Sequence, residues 1–115
     1  MKSDHDEGVA LLQKLSKDEL IAIIVDDAKN WLAHDGLWFQ AVEQKFDIDT
    51  AIEIDTDAWE KFTVVEAKRI MARLGMEQGG GIPALVECLK HRLYARLNLQ
   101  EAIEVTDTRV VFRMV

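Results

Sequence analysis

The stretch NWLAHDGLWF, residues Asn30–Phe39, places two tryptophans around His34 and Asp35 within a helical pattern. At about 100° per residue, Asp35 falls in the middle of an apolar face, with Asp27, Asn30 and His34 along one edge. That face comprises Leu20, Ile24, Ala28, Trp31, Asp35, Trp38, Val42 and Phe46. An ionised carboxylate is costly in such a position unless a partner compensates its charge. The stretch therefore predicts a helical fold that contains either a functional site or a buried polar lock.

Capping signals and apolar spacing predict three long helices. Ser16 with Glu19 has the spacing of a capping box, as does Asp57 with Glu60. Gly75 has the position of a helix-ending glycine, and Pro83 suits a first helical turn. The three predicted helices span residues 17–46, 57–74 and 82–97, and the segment Asp47-Ile48-Asp49 is predicted to end the first of them.

The remaining segments predict smaller elements around these helices. Residues 1–8 are predicted to form a loose N-terminus, followed by a short amphipathic segment over 9–15, and residues 50–54 a short helical piece. β-Branched residues within 102–115 predict a C-terminal hairpin whose turn lies at 106–109. We therefore expect a single helical domain over residues 1–115, of the α+β class and mainly α.

Composition narrows the classes of partner. The 115-residue chain has a formal net charge of −7, which disfavours binding to nucleic acid or to an anionic membrane surface. No apolar run approaches the ~20 residues that span a bilayer, and the acidic N-terminus lacks the features of a secretory signal. A single cysteine, Cys88, fits a reducing compartment. We expect a cytoplasmic, acidic protein.

Charged residues also interrupt the apolar arc of the second predicted helix, where Glu66, Arg69 and Arg73 lie. If they meet Asp35, they form either a salt-bridge network that fixes helix register or a polar pocket between helices. In the second case His34 is the general base and Glu66 its orienting partner. The catalytic set is then His34, Asp35 and Glu66, and the substrate-binding set, for a small carboxylate-bearing ligand, is Asn30, Arg69 and Arg73.

A divalent metal ion is a candidate cofactor. Asp27, His34 and Glu66 offer the oxygen and imidazole ligands that such an ion accepts. The pair Glu87 and His91 has helical spacing, which is more typical of a surface contact than of a metal site. Neither group reproduces the spacing of a known di-iron or zinc motif.

Residues 30–75, NWLAHDGLWFQAVEQKFDIDTAIEIDTDAWEKFTVVEAKRIMARLG, carry a resemblance that extends through HRLYARLN and VVFRMV. This sequence resembles a family of uncharacterised prokaryotic cytosolic proteins that is distantly similar to L-2-amino-thiazoline-4-carboxylic acid hydrolases. The resemblance implies opening of a heterocyclic ring by water that an acid–base group or a metal activates. The positions it brings forward as candidates are the Trp31–Trp38 region, Glu66 and Arg69.

Two functions follow from these patterns and stay open at the level of sequence. The first is a small-molecule hydrolase with a polar pocket between helices, with or without a metal. The second is a non-enzymatic interaction or oligomerisation module whose buried charges specify packing. The apolar strand at the end of the sequence, Val110–Val115, predicts pairing with another chain or with a continuation of the sequence. We expect a homodimer formed through this arm.

Overall fold

The computed structural model describes residues 4–115, with side chains from Asp6 onward. Its elements are α1 (Asp4–Gln13), α2 (Lys17–Lys45), α3 (Ile48–Leu74), α4 (Gly81–Leu89), a 3-10 turn (Leu93–Arg96), β1 (Gln100–Ile103) and β2 (Val111–Met114). The fold is α+β and mainly helical, which confirms the predicted class.

The long helix α2 begins where the capping signal predicts. The Ser16 hydroxyl accepts the backbone N–H of Glu19 at 3.1 Å and lies 3.1 Å from the Glu19 carboxylate. This contact satisfies one of the N–H groups that a helix start leaves without an intrahelical partner. The helix ends at Lys45, one residue before the predicted end.

The next helix is longer than predicted. Asp47 caps α3, because its carboxylate accepts the backbone N–H of Thr50 at 2.7 Å. The predicted break at 47–49 is therefore a two-residue turn formed by Phe46 and Asp47. The separate helical piece over 50–54 and the helix start at Asp57 are wrong, since α3 runs unbroken from Ile48 to Leu74. Asp57 lies within this helix and pairs with Lys61 at 3.1 Å. Gly75 ends it in the left-handed conformation, as predicted.

The third predicted helix, 82–97, ends early. α4 stops at Leu89, and Arg92 is extended, with φ −70° and ψ 158°. The cause lies on α3, where the Glu66 carboxylate accepts the Arg92 Nε–H at 2.6 Å and the Leu93 backbone N–H at 3.3 Å. A charged acceptor competes effectively for an N–H that would otherwise continue the helix. The chain resumes as the 3-10 turn.

The C-terminal hairpin is present with shifted boundaries. β1 and β2 are antiparallel, and Glu101 lies opposite Arg113, Ala102 opposite Phe112 and Ile103 opposite Val111. Backbone bonds between Leu99 and Val115 extend the ladder by one pair. In the connecting loop, the Thr106 hydroxyl accepts the N–H groups of Thr108 and Arg109.

The predicted loose N-terminus over residues 1–8 is wrong for residues 4–8, which the structure describes. Residues 4–8, predicted as loose, belong to α1, which continues to Gln13 instead of spanning 9–15. Residues 1–3 of the predicted loose segment lie outside the described residues.

The molecule is broad and flat, and its buried apolar residues lie on α2, α3 and α4. Its principal extents are 47 × 46 × 27 Å and its radius of gyration is 17.6 Å, whereas a compact chain of this length has about 13 Å. The buried apolar residues in the described part of the chain are Ala28, Ala51, Ile70 and Val86. Within residues 4–115, no helix is both long and apolar enough to cross a membrane.

Candidate functional site

Two aspartates on neighbouring helices form the centre of the site. Asp35 of α2 and Asp55 of α3 interact directly, and the Trp59 indole N–H donates to Asp35 Oδ1 at 3.3 Å. Burial raises the pKa of Asp55, the negative charge of Asp35 and a hydrogen bond to it raise it further, and Trp59 partly counteracts them. A like charge close by disfavours ionisation, so Asp55 keeps its proton to a higher pH than an ordinary aspartate.

Aromatic rings pack around the aspartate pair. Trp31 of α2 stacks on Phe62, with 5.0 Å between the ring centres. Trp59 packs edge-on against Phe62, with 5.3 Å between the ring centres. Tyr94 of the 3-10 turn lies 6.1 Å from Trp59. Burial raises the pKa of Tyr94, Arg92 opposes this, and the charges of Asp35, Glu66 and Asp55 add to the rise. These rings fix α2, α3 and the turn around the carboxyl groups.

A groove of about 580 Å³ opens beside this pair. We call it the α2/α3 groove. Its walls are Asp27, Asn30, Trp31, His34, Asp35, Trp38, Asp55 and Ala58. The structure thus brings together the Asp27, Asn30, His34 and Asp35 that the sequence predicts for a site. His34 is exposed and faces the groove, while Trp31 and Trp38 are 48% and 42% exposed.

Glu66 lies outside this groove and has a different role. Its side chain is only 12% exposed and pairs with Arg92, which also lies 5.2 Å from the centre of the Tyr94 ring. The hollow that Glu66 and Arg92 line is a separate one of about 200 Å³ beside α4. The predicted pairing of Glu66 with His34 is therefore wrong, because α3 turns Glu66 towards the 3-10 turn.

The two predicted substrate arginines are also outside the groove. Arg69 and Arg73 are exposed and do not line it. Asp35 is half-buried, and its partners are Trp59 and Asp55 rather than an arginine. The predicted network of Asp35 with Glu66, Arg69 or Arg73 is wrong. The residues of α3 that meet Asp35 are Trp59 and Asp55, which lie about two and about three turns nearer the start of the helix than Glu66.

The predicted metal ligands do not converge. Asp27 and His34 line the α2/α3 groove, whereas Glu66 lines the other hollow. Among the residues that the structure describes, no three His, Cys, Asp or Glu side chains are grouped to hold an ion. Glu87 and His91 make a 3.6 Å surface contact, as their spacing predicts. Cys88 packs with its sulfur 3.7 Å from that of Met76.

Sequence reasoning missed Asp55 and Arg92. Asp55 lies just before the predicted helix over 57–74, so the sequence pattern does not place it on a helix face. A continuous helix from Ile48 places Ala51, Asp55, Trp59 and Phe62 at spacings of three and four, on one face. That spacing was the available signal. Arg92 had none, because it depends on a contact 26 residues away along the chain.

The match to a family model covers nearly all of these elements. Residues 13–115 match a family of unknown function, DUF6125. The chain belongs to this family. Comparison with curated proteins gives no match, and comparison with solved structures gives none either. For this DUF6125 protein, a functional assignment therefore depends on the residues of the groove itself.

Proposed function

We propose that the α2/α3 groove binds a small organic cation and that the Asp35–Asp55 pair transfers a proton to or from it. The observation that carries the proposal is an aspartate pair between two helices in a groove that, among the residues the structure describes, has no lysine or arginine in its lining. A carboxyl group in a cleft whose pKa is raised by burial and by a specific charged neighbour is a candidate for a functional site. This proposal develops the small-molecule hydrolase predicted from the sequence.

The charge of the groove sets the class of ligand. Three aspartates line it, at positions 27, 35 and 55, and none of its lining residues is a lysine or arginine. A carboxylate would meet like charge, and the two arginines expected to bind it lie elsewhere. A protonated amine or amidine would compensate the aspartates instead. The recognised group that we propose is therefore positively charged, in place of the carboxylate expected from the sequence.

The walls of the groove suit such a ligand. Trp31 and Trp38 expose ring surface to it, and a cation over a tryptophan face is stabilised by about 0.5–2 kcal/mol. The volume of about 580 Å³ falls in the range of roughly 300–1,000 Å³ that is usual for small-molecule sites. A flat, positively charged nitrogen-containing ring suits this groove, because its face can stack on a tryptophan and its nitrogen can bind a carboxyl group.

The polar side chains divide the proton-transfer roles. Asp55 holds a proton to a higher pH than usual and can donate it to a nitrogen that leaves during bond cleavage. His34 lines the same groove and can accept the proton that an attacking water loses. A hydrolase of nitrogen heterocycles requires one such proton donor and one such proton acceptor. The sequence resemblance implies the same class of reaction. Asn30 is placed to orient the ligand by a hydrogen bond.

Binding is testable with three ligands of one shape and different charge. Benzamidinium, benzamide and benzoate carry charges of +1, 0 and −1 on nearly the same frame. All three tryptophans of the chain lie in or beside the groove, so their indole N–H signals in a ¹H–¹⁵N NMR spectrum report directly on it. We expect benzamidinium to shift these signals and to bind at least tenfold more tightly than benzamide, and benzoate to leave them unchanged.

A matched pair of variants locates the interaction. Asp55→Asn should weaken benzamidinium binding at least tenfold, because it removes the proton-sharing carboxyl. Glu53→Gln neutralises an exposed acid on the same helix outside the groove and should leave binding within twofold. Equal affinity for the three ligands, or equal loss in both variants, would contradict the proposal.

A further inference from the structure

A second surface, independent of the groove, lies on the C-terminal hairpin. Side chains alternate across a strand pair, so one face carries Leu99, Glu101 and Ile103 of the first arm and Val111, Arg113 and Val115 of the second. We call it the outer hairpin face. Ala102 and Phe112 on the opposite face are half-buried. The outer face is open, since Leu99 is 67% and Val115 74% exposed.

The charges of the outer hairpin face are balanced, unlike those of the whole chain. Glu101 pairs with Arg113 at its centre, with an apolar pair on either side. One is Leu99 opposite Val115, and the other is Ile103 opposite Val111. The chain as a whole has a charge of −7, so this face is a place where two copies can meet without strong repulsion.

The register makes the face complementary to itself. We infer that the protein forms a dimer in which two outer hairpin faces stack about a two-fold axis parallel to the strands. Rotation about that axis places the first arm of one copy over the second arm of the other. Each Glu101 then faces an Arg113 of the other copy, and the apolar pairs on either side stack on one another. A symmetric interface of this kind buries the same patch on both subunits.

The exposed area of the chain leaves room for such an interface. The chain exposes 8955 Å², whereas a compact protein of 13.1 kDa exposes roughly 6,400 Å². A standard stable interface takes about 800 Å² from each partner. The excess is large enough for the hairpin face to be the centre of a contact that also covers neighbouring apolar side chains. A two-stranded hairpin is marginal alone, and stacking stabilises it.

Charge reversal separates contacts between copies from contacts within one hairpin. By sedimentation equilibrium at about 100 μM, we expect the wild-type chain to have twice the 13.1 kDa monomer mass. Glu101→Arg and Arg113→Glu should each be monomeric, because like charges then face each other in both stacked pairs. An equimolar mixture of the two variants should dimerise, since two arginines of one variant face two glutamates of the other. The pair within each hairpin stays broken in that mixture.

A second variant tests the interface without reversing either charge of the Glu101–Arg113 pair, in case charge reversal unfolds the hairpin. Leu99→Asp should raise the dimer dissociation constant at least tenfold. Leu37→Asp on α2, where the leucine is also 67% exposed, is the matched control and should change it less than twofold. A monomeric wild-type chain, a dimeric single charge variant, or equal effects of the two leucine substitutions would each overturn the inference. The groove proposal stands or falls separately, because benzamidinium binding is measured on the indole signals.

Discussion

Two acidic side chains of α3, about three turns apart, have very different surroundings. Glu66 is nearly buried and meets a guanidinium and a backbone N–H. Asp55 meets another carboxyl group, and burial and the Asp35 charge raise its pKa. Both belong to the same helix and face neighbouring elements of the chain. The first arrangement stabilises the fold, whereas the second costs stability. A local cost in stability is expected at a site that serves a function, which is the role that we propose for the aspartate pair.

The largest change in the free energy of unfolding should follow from removal of the Glu66 carboxylate. Glu66→Ala should lower the free energy of unfolding by about 2–3 kcal/mol, because it leaves Arg92 and the Leu93 N–H without their charged acceptor. Urea unfolding measures this. Glu60→Ala, an exposed acid on the same helix, should change it by less than about 0.5 kcal/mol. Similar small changes in both variants would show that the Glu66 contacts add nothing to the fold.

A smaller loss is expected at the turn that sets the two helices opposite each other. Asp47→Ala removes the cap of α3 and should lower the urea midpoint at neutral pH. The bond to Thr50 lowers the pKa of Asp47, so its contribution is present above the ordinary aspartate pKa and is lost as pH falls through the lowered value. The difference between wild type and variant should therefore shrink in acid. A difference that is constant with pH would argue against this cap.

The aspartate pair should respond in the opposite sense. Asp55→Asn should raise the free energy of unfolding at pH 7 by a few tenths to about 1 kcal/mol, since it removes a partly exposed carboxyl group whose ionisation is disfavoured by burial and by the Asp35 charge. The raised pKa means that the penalty is absent below the ordinary value of 3.8 and appears as pH rises through the folded-state value. The gain should thus vanish below pH 4. Unfolding curves at pH 3.5 and 7 check this, and a loss of stability at pH 7 would contradict it.

His34 should matter for chemistry and hardly at all for stability. It is exposed, so His34→Ala should change the free energy of unfolding by less than about 0.5 kcal/mol. If it is the base, the variant should still bind benzamidinium but fail to hydrolyse any amidine-type heterocycle that the wild-type chain turns over. A variant that unfolds would instead assign His34 a structural role.

Local signals in the sequence were sufficient for much of the fold. Ser16 and Gly75 mark helix ends through contacts within a few residues, and the alternation over 110–115 marks the strand. The spacing of Asp57 and Glu60 is that of a capping box but also occurs inside a helix, and α3 runs through it, with Ala51 fully buried in its first turn. Only the part of the site that lies on a single helix could be predicted from the sequence. Asp35 and His34 stand out on α2, whereas the partners of Asp35 and of Glu66 are set by contacts between elements distant in sequence.

The most direct test of the account is a carboxyl titration of Asp55, followed by ¹³C NMR with and without benzamidinium. We predict that the free protein shows an Asp55 pKa above the ordinary 3.8, and that the bound cation lowers it, because positive charge favours the ionised carboxyl. The Glu66 signal should not move when the ligand is added. An Asp55 that titrates at its ordinary value, and does not respond to the cation, would contradict the claim that this pair is the working site.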